Sequence, residues 1–471
     1  MAEIGIFSLL PPIVAIVLAV WTRQVYLALF FGIFVGYSIL SDWNPFIGFA
    51  DTLEALLEVF QSPSNSSVIL FSILMGVLIT YIQSSGGVEG FIAWLERRRF
   101  VNSRRSAGFL AWSIGMIIFI ETNITILVTG TVCRPVFDKY KISREKLAYI
   151  VDSTSAPVCV LIPLNAWGAF VIGLLAEQGI EYPVGVFVKA VPLNFYAILA
   201  LALVVITIFT QRDIGKMKEA ELRALDSNQS GSENISGVIS EIGAVRPVEG
   251  AKFRSINMLL PIGVMIGMML IVLFVTGNGN IMRGTGSISV LMAVSTAVIV
   301  AAVMYRVQGI MNLQQLSERF VTGARSLMPM AILMLLAFAI GNLTTKMGTG
   351  EYIAGMVGPW LSPVFIPLIL FIVSGAMAFS TGTSWGTFAI MIPIAVPLIS
   401  EVGGILPLSI AAVLGGGVFG DHCSPISDTT IISSLVSASD HIEHVKTQLP
   451  YALIAAFGTM LLLLVSAAVM S

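Results

Sequence analysis

Apolar residues fill this chain in long runs that recur from end to end, with polar positions gathered in tight clusters between and inside them. Runs such as "LLPPIVAIVLAVW" (9–21) and "LVVITIFT" (203–210), together with their apolar neighbours, approach the roughly 20 residues a helix needs to cross a hydrocarbon core. The pattern predicts an all-α polytopic membrane protein. Polar clusters interrupt four apolar stretches midway: "ETNIT" (121–125), "DSTSAP" (152–157), "STGTSWG" (380–386) and "GDHCSPISDTT" (420–430). Charge at membrane depth is expensive and marks function.

Basic residues set the orientation, because lysine and arginine in short loops stay cytoplasmic. The clusters are Arg97-Arg98-Arg99 with Arg104 and Arg105, the stretch "RPVFDKYKISREK" (134–146), and the polar stretch 211–255, with Arg306, Arg319 and Arg325 as a sparser group. With these inside, the acidic stretches 42–58 and 177–181 fall outside, and only Lys189, Arg283 and Lys346 of the 25 basic residues break the rule. Basic clusters flank the segment 106–133 on both sides. Its two arms of roughly 14 residues are short of a full span, so the segment is expected to enter from the cytoplasm, turn, and leave on the same side. The tip of such a re-entrant hairpin is tolerable only where it is buried or lines a polar cavity.

The second half echoes the first. "LLPPI" (9–13) returns as "LLPI" (259–262), and "SSGGVEGFIA" (84–93) as "KMGTGEYIA" (346–354). "ETNIT" corresponds to "STGTSWG", and "DSTSAP" to "DHCSP" (421–425). The loops of the second hairpin carry almost no basic residues, so that hairpin enters from outside and the repeats are inverted. Residues 1–210 then form a first membrane repeat and 256–471 a second, each of about five spans plus one re-entrant hairpin and a discontinuous helix. The stretch 211–255, rich in Ser, Asn, Glu and Gly, reads as a cytoplasmic, partly disordered connector whose start forms a short amphipathic helix.

Composition agrees. The chain has 471 residues, 56% of them hydrophobic and 11% charged, against about 25% charged in soluble domains. A net charge of −2 offers no basis for binding nucleic acid. The first segment has no basic residue before Arg23 and no small-residue cleavage pattern, so it is expected to be a span and not a signal peptide. Cys133, Cys159 and Cys423 have neither disulfide nor zinc spacing.

Interrupted helices at matching positions of two repeats point to a secondary transporter's binding site. Each break frees carbonyls at one half-helix end, which suit cations, and amides at the next, which suit anions. The side chains supplied are hard oxygen donors: Glu121, Asn123 and Thr125 at the first tip, and Asp152, Ser153 and Ser155 at the first break. Thr383 and Ser384 come from the second tip, and Asp421, Ser424, Ser427 and Asp428 from the second break. Such oxygens suit Na+; no transition-metal site is expected. Helix capping accounts for the hydroxyls equally well. A carboxylate out of water, by contrast, needs a partner, which favours a functional reading of Asp421, Asp428, Asp152 and Glu121. His422 reads as an orienting hydrogen-bond partner or as a group titrating near neutral pH. His441 and His444, in the polar stretch "SDHIEHVK", read as surface residues, with pH sensing as the lesser alternative. Trp167 and Trp385 flank the breaks, as core packing or as the wall of an organic-substrate pocket.

"GDHCSPISDTTI" (420–431), with "DSTSAPVCVLIP" (152–163), resembles the NhaC family of Na+/H+ antiporters, and the order of segments is similar over essentially the whole chain. The resemblance implies membership of the wider ion-transporter superfamily, with an elevator-type fold, a homodimer, and a place in the bacterial cytoplasmic membrane with 211–255 in the cytoplasm. "ETNIT" is similar to the sodium-binding tips of that superfamily, departing from them in Glu121 and Thr122. The second tip, "STGTSWG", departs from them in having no asparagine.

The function expected is exchange of cytoplasmic Na+ for external H+, without a cofactor, at carboxylates that hold either a cation or protons. Asp421 and Asp428 are the expected shared site, with Asp152 or Glu121 on the pseudo-symmetric side. The alternative keeps ion coupling but carries an amino acid or small carboxylate, held by amides near 153–155 and 427–429 in a pocket with Trp385. Inverted repeats speak against a channel, and no nucleophile–base pair or metal motif supports an enzyme.

Overall fold

A computed structural model describes residues 4–96, 101–119, 121–226, 245–349, 352, 355–356 and 362–470. Three expected features lie wholly or partly outside these residues: the Arg97–Arg99 cluster, the middle of 211–255, and the 346–354 echo. Among the described residues every regular element is helical, as the apolar composition requires. In hydrocarbon, backbone N–H and C=O groups must be satisfied internally, and a helix does so within one segment.

The first half runs through α1 (Leu10–Thr22), α2 (Val25–Leu40), α3 (Pro45–Glu58), α4 (Pro63–Ser84) and α5 (Gly87–Glu96). It continues with α6 (Arg104–Ile117), α7 (Thr122–Lys139), α8 (Arg144–Ser153), α9 (Ala156–Leu161), α10 (Ala166–Glu177), α11 (Pro183–Ala190) and α12 (Phe195–Thr210). After α13 (Gly215–Asp226) come α14 (Ile256–Thr276), α15 (Gly286–Val307), α16 (Leu313–Ser326), α17 (Met328–Lys346), α18 (Ile366–Thr381) and α19 (Ser384–Val402). The chain ends in α20 (Leu406–Cys423), α21 (Asp428–Ser437) and α22 (His441–Met470). Ten helices among the described residues are long and apolar enough to cross a membrane, or up to 11 if a bent pair counts as one span.

Polar residues stop and start these helices where the sequence places them. Ser62 caps α4, Ser103 closes a capping box on α6, Asn194 caps α12 and Asn312 caps α16, each meeting an amide that has no partner within its own helix. The arms α6 and α7 form one hairpin, and α18 and α19 form another. The first has arms of 14 and 18 residues and the second of 16 and 19. Two further helices are broken: α8 gives way to α9 at Thr154-Ser155, and α20 to α21 across residues 424–427. The order hairpin then broken helix occurs once in each half.

Glycines let backbones meet where the framework is tightest. A side chain on Gly76 of α4 would strike the carbonyl of Gly323 in α16, and one on Gly420 of α20 would strike the carbonyl of Gly375 in α18. The start of the polar stretch after α12 is helical, as expected. Met217, Ala220 and Ala224 are buried, and α13 packs against α8 and α22.

Candidate functional site

Each hairpin tip is pinned against the broken helix of its own half. At the first tip, the Phe119 carbonyl accepts from Asn165 Nδ2 at 2.8 Å and from Cys159 Sγ at 3.4 Å. Thr125 donates its hydroxyl to the Ile118 carbonyl, tying the two arms together. At the second tip, Ser424 Oγ donates to the Phe379 carbonyl at 2.8 Å. Gly382, at φ +68°, lies so close to the Ile426 carbonyl that a Cβ there would approach it to 2.6 Å. The tips are linked through tryptophans: Trp167 Nε1 donates to Thr122 Oγ1 at 3.0 Å, and the Trp167 and Trp385 rings lie 4.7 Å apart. Trp385 also packs on Phe170 at 5.0 Å.

The two broken helices meet at their breaks. Asp152, at the end of α8 and fully buried, accepts from Gln448 Nε2 at 2.6 Å, Thr430 Oγ1 at 3.1 Å and Ser433 Oγ at 3.4 Å. Its carbonyl faces His422 Nε2 at 3.2 Å. A carbonyl can only accept, so Nε2 carries the proton, and Nδ1 receives the Tyr196 hydroxyl at 3.2 Å. Both ring nitrogens of His422 are therefore engaged, the geometry of an orienting partner.

Asp421 sits one residue before that histidine, 2% exposed. Its Oδ2 accepts from Ser384 Oγ at 2.7 Å, which joins the second break to the second tip. Its Oδ1 is buried and has no hydrogen-bond partner among the described residues. A carboxylate oxygen out of water without a donor is costly unless a cation or a proton meets it.

Asp428 points elsewhere. It shares a cavity of about 340 Å³ with Glu121 and Asn123 of the first tip, walled by Thr80 and Gln83 of α4 and by Ser326. Glu121 caps α7, accepting from the Ile124 amide at 2.9 Å and from Asn123 Nδ2 at 3.0 Å. Asp428 interacts electrostatically with Glu121, Asp421 and Asp152. No ion pair among the described residues includes any of these four carboxylates. Nor does any group of three or more His, Cys, Asp or Glu among them converge on one metal-sized point.

The remaining hydroxyls divide by role. Ser427 caps α21 through the Thr430 amide, and Thr383 caps α19 through the Gly386 amide. Ser155 donates to the Asp152 carbonyl at 2.7 Å. Ser153 faces a small cavity lined also by Tyr149, Tyr196, His422 and Gln448. One expectation is overturned: His444 is no surface residue but fully buried, since α22 turns it inward against α21. His444, Thr447, Gln448 and Tyr451 all lie on the buried side of α22. Their spacing of three, four and seven is one helix face.

This arrangement can be set beside known proteins. The model of the Na+/H+ antiporter family matches residues 169–468. The chain belongs to that family. The motif resemblance implied as much, and the protein is a transporter, integral to the membrane and multi-pass, not an enzyme. A Haemophilus influenzae protein described as uncharacterized is 35% identical over 97% of this chain and 89% of its own. A malate-2H+/Na+-lactate antiporter of Bacillus subtilis is 39% identical over 21% of this chain and 23% of its own. An arginine/ornithine antiporter of Halobacterium salinarum is 38% identical over 20% of each. Among solved structures, the YdaH transporter of Alcanivorax borkumensis has a similar fold, with a TM-score of 0.66 at 16% identity over 89% of this chain and 88% of that one.

Proposed function

We propose that the protein exchanges cytoplasmic Na+ for external protons, and that Asp421 is the carboxylate at which the two compete. The orphaned Oδ1 of Asp421 carries this reading. A cation there replaces the missing donor and holds the group ionised, whereas a proton neutralises it. One site that accepts either, never both, couples the fluxes. The Ser384 and Ser427 hydroxyls at Asp421, with Ser424 of the same break, would contribute to an oxygen shell. Asp428 and Glu121 would draw cations from their shared cavity, while Asp152 braces the crossing of the broken helices. The resemblance further supports a homodimer in the bacterial cytoplasmic membrane.

The malate/lactate and arginine/ornithine relatives motivate a second reading, in which the cargo is an amino acid or small carboxylate. Two amides that would hold a carboxylate at the start of α21 already meet the chain's own oxygens, Thr429 N on Asp428 and Thr430 N on Ser427. That favours the inorganic cation.

Purified protein in proteoliposomes with a pH-sensitive dye inside decides between them. External NaCl, with no organic solute, is expected to alkalinise the lumen. KCl is not, and Asp421→Asn abolishes the response. A flat trace from folded wild-type protein overturns the exchange and turns the search to Na+-driven uptake of labelled amino acids and carboxylates.

A further inference from the structure

Beside Asp152, a second cluster of titratable groups has a hydrogen-bond count that does not balance. Ser434 Oγ lies 2.7 Å from the Thr430 carbonyl, 3.1 Å from His441 Nδ1 and 2.8 Å from His444 Nδ1. The far nitrogen of each ring faces an oxygen. His441 Nε2 is 2.7 Å from the Pro425 carbonyl, and His444 Nε2 is 3.0 Å from Gln448 Oε1. The Gln448 amide has its nitrogen on Asp152 and on the His422 carbonyl, so its oxygen is the end that meets His444. Carbonyl and amide oxygens accept only, which places a proton on both Nε2 atoms.

With both rings neutral, each Nδ1 is then a bare acceptor. The single hydroxyl proton of Ser434 is left to serve three acceptors. Each proton added to a ring turns its Nδ1 into a donor, and the serine oxygen has two lone pairs to receive them. The count closes with both rings protonated and the serine donating to Thr430. His422 makes the contrast, since its one bare nitrogen has the Tyr196 hydroxyl to itself.

We propose that His441, Ser434 and His444 form a proton-binding site with room for two protons, linked through Gln448 to Asp152. It fills in two steps, because the first imidazolium repels the second. The charged and titratable groups on the packed elements begin with α7, which carries Arg134, Asp138 and Lys139 with Tyr140 just after it, Asp138 pairing with Arg144. From α8 come Asp152, Tyr149 and Glu145, with Arg144 reaching the Ala438 carbonyl. From α13 Arg223 reaches Glu145 and Glu443, and α20 presents His422 and Asp421. On the chain around the pair stand Asp440, Glu443, Lys446 and Tyr451, with Lys446 held by Glu443 at 2.9 Å. Tyr196 comes from α12, and α21 adds Asp428 at its far end. The site lies at the start of α22, on the side expected to face the cytoplasm, where it would sense internal pH beside the crossing of the broken helices.

The test is independent of transport. The chain has three histidines, so ¹⁵N-histidine labelling of the full-length protein in detergent or lipid gives three ring systems, assigned by the signals missing from His441→Gln and His444→Gln. On acidification from about pH 8 to about pH 5, the Nδ1 atoms of His441 and His444 are expected to gain protons in successive steps. Ser434→Ala removes the oxygen that receives both, and should move both titrations to lower pH by roughly half a unit or more. If that variant does not fold, His441→Gln tests the coupling from the more exposed end, and the His444 titration must shift. Nδ1 atoms that stay bare throughout, or titrations indifferent to both substitutions, overturn the site.

Discussion

At the residue scale, the buried carboxylate of Asp421 takes its close hydrogen bond from Ser384, with the Ser427 hydroxyl beside the group. Ser384 serves Oδ2, and nothing among the described residues serves Oδ1. Ser384→Ala would remove the close donor on Oδ2, at a cost of about 1–3 kcal/mol, and is expected to lower the apparent melting temperature in Na+-free buffer. A ligand that binds only the folded state stabilises it in proportion to occupancy. Added NaCl should therefore raise the melting temperature of the wild type where choline chloride does not, and Asp421→Asn should lose the effect. The sign with pH follows from competition. As pH falls, protons take the same oxygens, and the apparent Na+ affinity should drop, by about tenfold per unit once the carboxylate is mostly protonated. Stabilisation by Na+ that grows on acidification would remove Asp421 from the exchange.

At the scale of elements, the half-helix carrying Asp152 is held at its other end by α13. Glu221 accepts from the Ser143 amide at 2.8 Å and its hydroxyl at 2.6 Å, at the N-cap of α8, and pairs with Arg104. Lys146 meets Asp213 at 2.7 Å, both side chains almost wholly buried, and Tyr451 donates to the same carboxylate at 3.2 Å. Breaking a buried pair strands a charge, at a cost of about 3–5 kcal/mol, whereas replacing both partners with apolar groups is often neutral. Lys146→Met should therefore lower the melting temperature sharply, and Lys146→Met with Asp213→Leu should recover most of it. A double variant no better than the single would deny that the pair is the latch. Gly420→Ala makes a second demand, because its methyl strikes the Gly375 carbonyl. The yield of folded protein should fall, with α18 forced away from α20. The sequence showed that 211–255 begins with an amphipathic helix but not where it docks, because the partners of Asp213 and Glu221 lie some 67 to 238 positions away along the chain. The same reason hid the neighbours of Asp152, whose oxygens are met by Thr430, Ser433 and Gln448. His444 was misread for a different reason. Its flanking charges, Glu443 and Lys446, mark an exposed face, and the polar stripe on the opposite face carries no apolar signal.

At the scale of the whole molecule, the legible part is what the solvent dictates. Apolar runs become helices because hydrocarbon leaves the backbone no other partner. The four polar interruptions fall where those helices turn or break, at residues 118–119 and 121, 154–155, 382–383 and 424–427. Which carboxylates share a cavity was not legible. Asp428 faces Glu121 across the halves while Asp421 faces Ser384, an arrangement fixed by how the breaks cross and not by spacing along the chain. Orientation in the bilayer is an expectation from the lysine and arginine asymmetry, by which α13 would face the cytoplasm and α3 the outside. The protein lends itself to a direct test, because Cys133, Cys159 and Cys423 are all buried and give little background to a thiol reagent. Lys218 on α13 and Glu54 on α3 are exposed. In intact cells a membrane-impermeant maleimide should label Glu54→Cys at once and Lys218→Cys only after permeabilisation. If Lys218→Cys reacts from outside, the positive-inside reading inverts. Asp421 would then meet its cation from the opposite face, and the His441–His444 pair would sense the external pH instead of the internal one.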